Sequence, residues 1–171
     1  LEEIPFRIVL EAKAPCDLLP FIERFVLRTP YARWKEIIAK MVFNAFKTPI
    51  GKDQILLEQL DEASAFREME FVYPVTDGVI KGVIDLFFLW NGRYYLLDWK
   101  TNWLGKNESE YTDEAFIKAI KAHGYDLQAA LYKTAISKYL ATLDDRPFEK
   151  IFGGMIFHFL RGNLSYFMEA P

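Results

Sequence analysis

Lys81-Gly82-Val83-Ile84-Asp85-Leu86-Phe87-Phe88-Leu89-Trp90, then Asn91-Gly92, then Arg93-Tyr94-Tyr95-Leu96-Leu97-Asp98-Trp99-Lys100, is the stretch whose reading decides the fold. Two apolar, aromatic arms flank Asn-Gly, the strongest short-range signal for a two-residue type I′ turn. That turn pairs Trp90 with Arg93, and counting outward sets Asp85 opposite Asp98. Opposed residues share a face with Cβ atoms roughly 4.5–5.5 Å apart, where like charges repel. Two carboxylates so placed call for a cation between them. Lys100 follows Asp98 by two residues, so the strand period returns it to the same face.

Outward from the hairpin, Arg67–Val75 alternates as a third strand, and Asp77-Gly78 signals the turn into the second. Pro74 marks that strand as an edge. Ahead of it, residues 17–28 and 31–46 read as helices, with Asp17 as N-cap of the first and Pro30 between them. A short helix is expected up to about Leu60. Beyond the hairpin, residues 101–110 form a polar loop carrying Trp103 and Gly105. Helices follow at about 111–122 and 125–141 with Gly124 as the break. Ile151–Leu160 is a strand, Arg161-Gly162-Asn163 a turn, and Leu164–Met168 a last strand. This order predicts an α/β fold, a central mixed β-sheet flanked by helices. We expect one domain over 1–171, with a helical part over about 1–62 and a core over about 63–171.

The 171 residues are 51% hydrophobic and 16% aromatic, enough for one substantial core. No apolar run approaches the roughly 20 residues that span a bilayer, and no signal peptide is visible. Cys16 is the sole cysteine, which excludes a disulfide framework, a four-cysteine zinc site and a cysteine-ligated iron–sulfur cluster within this chain. A reducing, cytoplasmic setting is the expectation. The net charge of −3 argues against binding nucleic acid by bulk charge alone. A start at Leu rather than Met leads us to expect a piece of a longer protein.

Asp-x-Lys alone is a weak motif, and a salt bridge from Asp85 to Lys100, or from Asp98 to Lys81, would also hold the hairpin. An ionised carboxylate inside an apolar strand is costly unless paired or ligated, which favours the metal reading. Hard carboxylates without thiolates or a nearby His pair suit Mg²⁺ or Mn²⁺. A lysine beside such a metal can orient a water and neutralise charge developing on phosphorus, so phosphodiester hydrolysis fits best. Gln128 and Tyr132 share a helical face at i and i+4. From the residues alone they read as part of an ordinary amphipathic helix. Tyr125 and His123 read as closing a helix break, and His158 as packed. With an Asp77-Gly78 turn Glu70 would lie opposite Asp85, though a different loop length would bring Glu68 closer. Trp103 could stack on a base, but loop tryptophans more often anchor loops to cores. Lys118, Lys121, Lys133 and Lys138 read as solvated helix faces. No G-x-x-x-x-G-K-[ST] phosphate loop occurs.

Gly82-Val83-Ile84-Asp85, the run Gly92 to Gly105, Tyr125-Asp126-Leu127-Gln128-x-x-x-Tyr132 and Phe159-Leu160-Arg161-Gly162 resemble the nuclease domain of RecB. That is the beta subunit of bacterial exodeoxyribonuclease V, in the PD-(D/E)xK superfamily. The likeness runs from about residue 67 to 162. It implies a restriction-endonuclease-like core and a Mg²⁺-dependent DNA nuclease. Its metal ligands would fall on Asp85, Asp98 and the Trp99 carbonyl, with Lys100 catalytic and Gln128 and Tyr132 orienting the substrate. It also implies a helicase–nuclease with RecC-like and RecD-like partner subunits that deliver DNA. The rival expectation is a docking module that keeps the fold without the chemistry. The family carries a further histidine ligand upstream, yet no histidine precedes His123. Leu1-Glu2-Glu3-Ile4-Pro5-Phe6 resembles the residues that follow that histidine.

This fragment is therefore expected to fold but to bind metal weakly. Mn²⁺, which suits imidazole better than Mg²⁺ does, should suffer more from the missing ligand. Mn²⁺ titrated into this chain and into one extended upstream to a histidine should bind the longer one more tightly. Equal affinity would remove the missing-ligand argument.

Overall fold

The computed structural model describes residues 4–168. Leu1-Glu2-Glu3, which head the segment compared with the family's post-histidine residues, lie outside them. Five strands form one mixed sheet in the order β1 (Ala65–Val75), β2 (Gly78–Trp90), β3 (Arg93–Lys100), β4 (Phe152–Phe159) and β5 (Leu164–Met168). Helices α1 (Phe6–Glu11), α2 (Leu19–Val26) and α3 (Lys35–Lys47) precede the sheet. Helices α4 (Asp113–His123), α5 (Tyr125–Leu140) and the short α6 (Phe148–Ile151) connect β3 to β4. The expected α/β arrangement, a mixed sheet flanked by helices as in a restriction-endonuclease-like core, is what the chain adopts. No helix among the described residues is long and apolar enough to cross a membrane.

The Asn91-Gly92 turn forms as its chemistry requires, with positive φ at both residues and Trp90 opposite Arg93. β3 then runs parallel to β4, which demands a long crossover, and α4–α6 supply it. Helices cover both faces of β3, which explains its near-continuous apolar run. Tyr95 and Leu97 point to the α1–α3 side, packing with Val9, Val42 and Phe46. Leu96 points to the other side, with Phe116, Ile120, Ala129 and Ile136. Alternation therefore sends Asp98 and Lys100 towards α5, and Trp99 back towards α3, where it stacks on Phe46 at 5.8 Å.

Several boundaries differ from those predicted. Residues 17–28 divide into a 3₁₀ turn (Pro15–Leu18) and α2, because Pro15 and Pro20 each restart the helix. Asp17 accepts from the amides of Lys13 and Ala14, upstream of it, instead of capping forward. A 3₁₀ turn (Ala32–Trp34) likewise precedes α3, and the helix expected before Leu60 is one 3₁₀ turn (Leu57–Gln59). α1 was not foreseen. Six residues give little periodicity, and its place is set by long-range contacts: Arg67 donates to the Ile4 carbonyl at 2.6 Å and lies over the Phe6 ring. Ile151 belongs to α6, so β4 starts one residue later than expected.

One register expectation is overturned. The first turn is Thr76-Asp77, with Val75 opposite Gly78, so Glu70 faces Val83 and not Asp85. The same register sets Glu68 across from Asp85. The ladder skips that pair, because Glu68 adopts a left-handed backbone at φ 49°. A left-handed glutamate inside a strand turns its own peptide groups off the ladder and kinks β1 there.

Between β3 and β4 the register slips by one residue. Tyr94 pairs with Phe152 and Tyr95 with Gly154, leaving Gly153 as an extra residue. A Cβ on Gly153 would meet the Tyr95 ring at 2.2 Å. That ring is held by stacking on Phe88 and by its hydroxyl donating to Asp53 at 2.9 Å, so it has no room to yield. Gly153→Ala should cost roughly 3 kcal/mol or more through overpacking. Gly92→Ala, with φ 75° but nothing within 4 Å of the added carbon, should cost only about 1–2 kcal/mol. Urea unfolding of the two variants checks the order. Equal losses would mean that Tyr95 can move.

Candidate active site

The site assembles where β2 and β3 part. Their ladder runs from Trp90–Arg93 to Leu86–Leu97 and ends one step short of Asp85 and Asp98. In place of a further backbone bond, Asp85 Oδ2 accepts the amide of Trp99 at 2.7 Å. The predicted opposition of the two aspartates is therefore modified. The β1 ladder skips the Glu68–Asp85 pair, and on the β3 side the Asp85 carboxylate satisfies the next donor. Glu68, Asp85 and Trp99 line a small pocket of about 20 Å³, walled by Phe6, Val9 and Phe46. Of the two glutamates weighed, Glu68 is the half-buried one at the site, and Glu70 is exposed.

Asp98 and Lys100 are 4% and 7% exposed, so both charges are nearly out of water. Lys100 Nζ lies 2.5 Å from Asp98 Oδ2 and donates to Gln128 Oε1 at 2.9 Å. Gln128 Nε2 in turn donates to Asp98 Oδ1 at 2.6 Å. Gln128 thus bridges the ion pair, offering its oxygen to the ammonium and its amine to the carboxylate. The same amine lies 2.9 Å from the Tyr132 hydroxyl, which donates to the Val83 carbonyl at 2.6 Å. Both α5 side chains therefore face the hairpin. The bland amphipathic reading of that helix does not hold at these two positions. Of the two salt bridges weighed from sequence, neither is the one that ties up Lys100. Its partner is Asp98, on its own strand.

Tyr125, expected only to close the helix break with His123, and Phe157, not singled out at all, both meet Lys100. The Lys100 ammonium sits 3.6 Å from the centroid of Tyr125, whose face is electron-rich, and 5.1 Å from that of Phe157. Tyr125 is itself fixed by donating to Asn102 Oδ1 at 3.1 Å and by stacking on His123. The signal was present, since an aromatic one turn before Gln128 shares its helical quadrant, but only the fold brings it over Lys100. Trp103 does not anchor its loop. It is 64% exposed, with the Arg161 guanidinium 5.9 Å from its ring. His158 is fully buried, as expected, and packs edge-to-face on Trp99.

Burial pushes the Asp98 carboxyl above its ordinary range, although Lys100 and Gln128 both pull it down. Desolvation also raises the Tyr132 phenol, opposed by its bond to Gln128 and reinforced by the negative charges of Asp98, Asp85 and Glu68. His158 falls to about 4 by burial, so it is neutral at physiological pH. Among the described residues no three Asp, Glu, His or Cys side chains group closely enough to hold a metal. The two aspartates are nevertheless hard oxygen donors of the type Mg²⁺ takes, one or two at a time. Their oxygen chemistry at the end of the β2–β3 ladder fits such an ion, while in this structure the positive neighbour of buried Asp98 is Lys100.

Removing Lys100 tests this electrostatic arrangement. Lys100→Met leaves Asp98 buried without a cation, which typically costs about 3–5 kcal/mol. A carboxyl with a raised folded pKa favours folding at acid pH and loses that contribution as pH rises through the raised value. The variant's deficit should thus be largest at pH 7 and shrink towards about pH 4. Adding Asp98→Asn should restore most of the loss. Urea unfolding across that pH range checks it, and a Lys100→Met chain as stable as its parent at pH 7 would refute it.

No family model matches the chain. Relatives named RecBCD enzyme subunit RecB do. The chain is 34% identical to that of Escherichia coli (strain K12), matching over 77% of this chain and 14% of the relative. It is 32% identical to that of Chlamydia pneumoniae, over 82% of this chain and 13% of the relative. With that of Haemophilus influenzae the identity is 40% over half of this chain. The chain spans only a small part of the length of these relatives.

Proposed function

Because this chain belongs to the RecB family, as the counterpart of a small part of those subunits, we propose that it is their Mg²⁺-dependent DNA nuclease domain. It would cleave phosphodiester bonds in strands delivered by the helicase of a RecBCD-type complex during double-strand-break repair. RecC-like and RecD-like subunits would be its partners. The observation that carries this reading is the Asp98–Lys100–Gln128 cluster beside Asp85. It sets a buried carboxylate, a water-excluded ammonium and a second carboxylate at the mouth of one hairpin.

Asp85 and Asp98, with the Trp99 carbonyl, would hold the metal. When bound, Mg²⁺ would supply Lewis acidity to the scissile phosphate and lower the pKa of a bound water. The remaining work falls to the chain's own groups. Lys100 Nζ would donate to the oxygen that gains negative charge as water attacks phosphorus, in a site where low dielectric strengthens the contact. Tyr125 and Gln128 hold that ammonium from two sides, so its position is set before substrate arrives. Tyr132 fixes Gln128 through the Val83 carbonyl, keeping the amide oxygen on the lysine and the amine on the aspartate. A fixed donor costs little reorganisation at the moment of reaction.

The rival reading, a docking module without chemistry, draws on the lack of a three-ligand group among the described residues. One experiment separates them. The full-length protein, with its partner subunits, should degrade linear DNA with Mg²⁺ and stop on chelation. Asp98→Ala and Lys100→Ala should each lower cleavage at least about a thousandfold while DNA-dependent ATPase persists. Asp98→Ala should also weaken metal binding, and Lys100→Ala should not. Undiminished cleavage in either variant would favour the docking module.

A further inference from the structure

A groove of about 330 Å³ opens beside Leu160 and Arg161, where β4 ends. One wall is a stripe of α3, in which Ile37, Lys40, Met41 and Asn44 recur at i, i+3, i+4 and i+7. The other is built from the 105–108 loop and from Arg161 in the turn after β4. The Leu160 amide donates to the Lys100 carbonyl, and Arg161 Nε donates to the Thr101 carbonyl at 2.8 Å. The groove therefore adjoins the backbone at Lys100 and Thr101, at the carboxyl ends of the parallel strands β3 and β4, while the Lys100 side chain turns towards α5. Ligands of α/β sheets gather at such ends.

We propose that this groove carries the single-stranded DNA flanking the scissile phosphate. In it Lys40, Lys106 and Arg161 would bind phosphates, and Trp103, which lies against Arg161 outside the groove wall, would stack on a base. This rests on the nuclease reading and specifies its substrate path. Lys40, Lys106 and Arg161 are exposed and form no ion pair among the described residues. Their charges are thus available in a chain whose net charge is −3. Glu108 is the acid on the groove wall. Its neighbour Glu110 is occupied within the loop, accepting from the amides of Lys106 and Asn107.

The walls are stiff. A Cβ on Gly105 would meet Glu110 at 2.2 Å, and one on Gly162 would meet the Tyr111 ring at 2.4 Å. The backbones of the loop and the turn are therefore packed to closest approach, which sets where their exposed cationic side chains emerge. Trp103 stands out from this rigid rim with an arginine against its face. A cationic track with an exposed indole is the combination that binds single strands without sequence preference. An acidic protein segment would use the cations but leave the indole idle, so DNA is the occupant the rim favours.

The test uses the full-length protein and a single-stranded oligonucleotide bearing 5-iododeoxyuridine. Lys40→Gln with Lys106→Gln leaves the Arg161–Thr101 contact intact. It should raise KM for cleavage about tenfold with kcat within twofold, and flatten the plot of log kcat/KM against log salt by about 1.4. Trp103→Ala should also cost about tenfold in kcat/KM, with Trp103→Phe restoring most of it. Ultraviolet crosslinking should attach the oligonucleotide to Trp103, and the double variant should lose that adduct. Cleavage by the parent protein with no adduct at Trp103, and an unchanged salt slope in the double variant, would overturn the groove. In that case an acidic protein segment becomes the candidate occupant. An adduct at Trp103 without cleavage would uphold the groove and remove the nuclease reading. Loss of both would remove both.

Discussion

The ion pair between Asp98 and Lys100 is the constraint on which the site depends. Two charges on one strand, two residues apart, are carried into the sheet's interior by a backbone that has no choice of face. Burial makes the carboxylate reluctant to ionise, and only a cation and hydrogen bonds on its other oxygen make the arrangement tolerable. Gln128 meets both needs at once because an amide has a donor end and an acceptor end. The tyrosine four residues later and the tyrosine three residues earlier then close the cluster. α5 is held to the hairpin by this polar lattice and to the sheet as a whole by the apolar cluster that includes Leu96 and Phe157.

The two halves of the molecule use β3 differently. Its odd-numbered residues, Tyr95, Leu97 and Trp99, are gripped by α1–α3, while the even-numbered Leu96, Asp98 and Lys100 look towards α4 and α5. A single strand therefore joins a packing face to a face that carries the buried polar cluster. Substitutions that loosen Phe46 against Trp99 would shift the backbone amide that holds Asp85, without touching either carboxylate.

Much of this could be read in advance, for specific reasons. Asn91-Gly92 admits one turn geometry, so the register of β2 on β3 follows by counting, and with it the neighbourhood of Asp85, Asp98 and Lys100. Asp77-Gly78 is weaker, because the chain can turn one residue earlier. It does so, and Glu68 replaces Glu70 at the site. Nothing local announces a left-handed Glu68, since the residue type disfavours it and only the packed surroundings impose it. Tyr125 and Asn102 were invisible as partners because they are 23 residues apart, joined only when α5 docks. The six residues of α1 were missed for the same reason, as their position is decided by Arg67 and the core.

The parallel seam between β3 and β4 has a consequence for biosynthesis. The hairpin of β2 and β3 is local and can zip as soon as it is made, but β4 lies some fifty residues downstream. Until that strand arrives, the Lys100 carbonyl lacks the Leu160 amide and the Phe157 ring is not yet beneath the ammonium. A chain still emerging from the ribosome would thus carry the reactive pair in a solvated, unorganised hairpin. The polar cluster of Asp98, Lys100 and Gln128 is completed only when β4 docks, by the topology of the sheet itself.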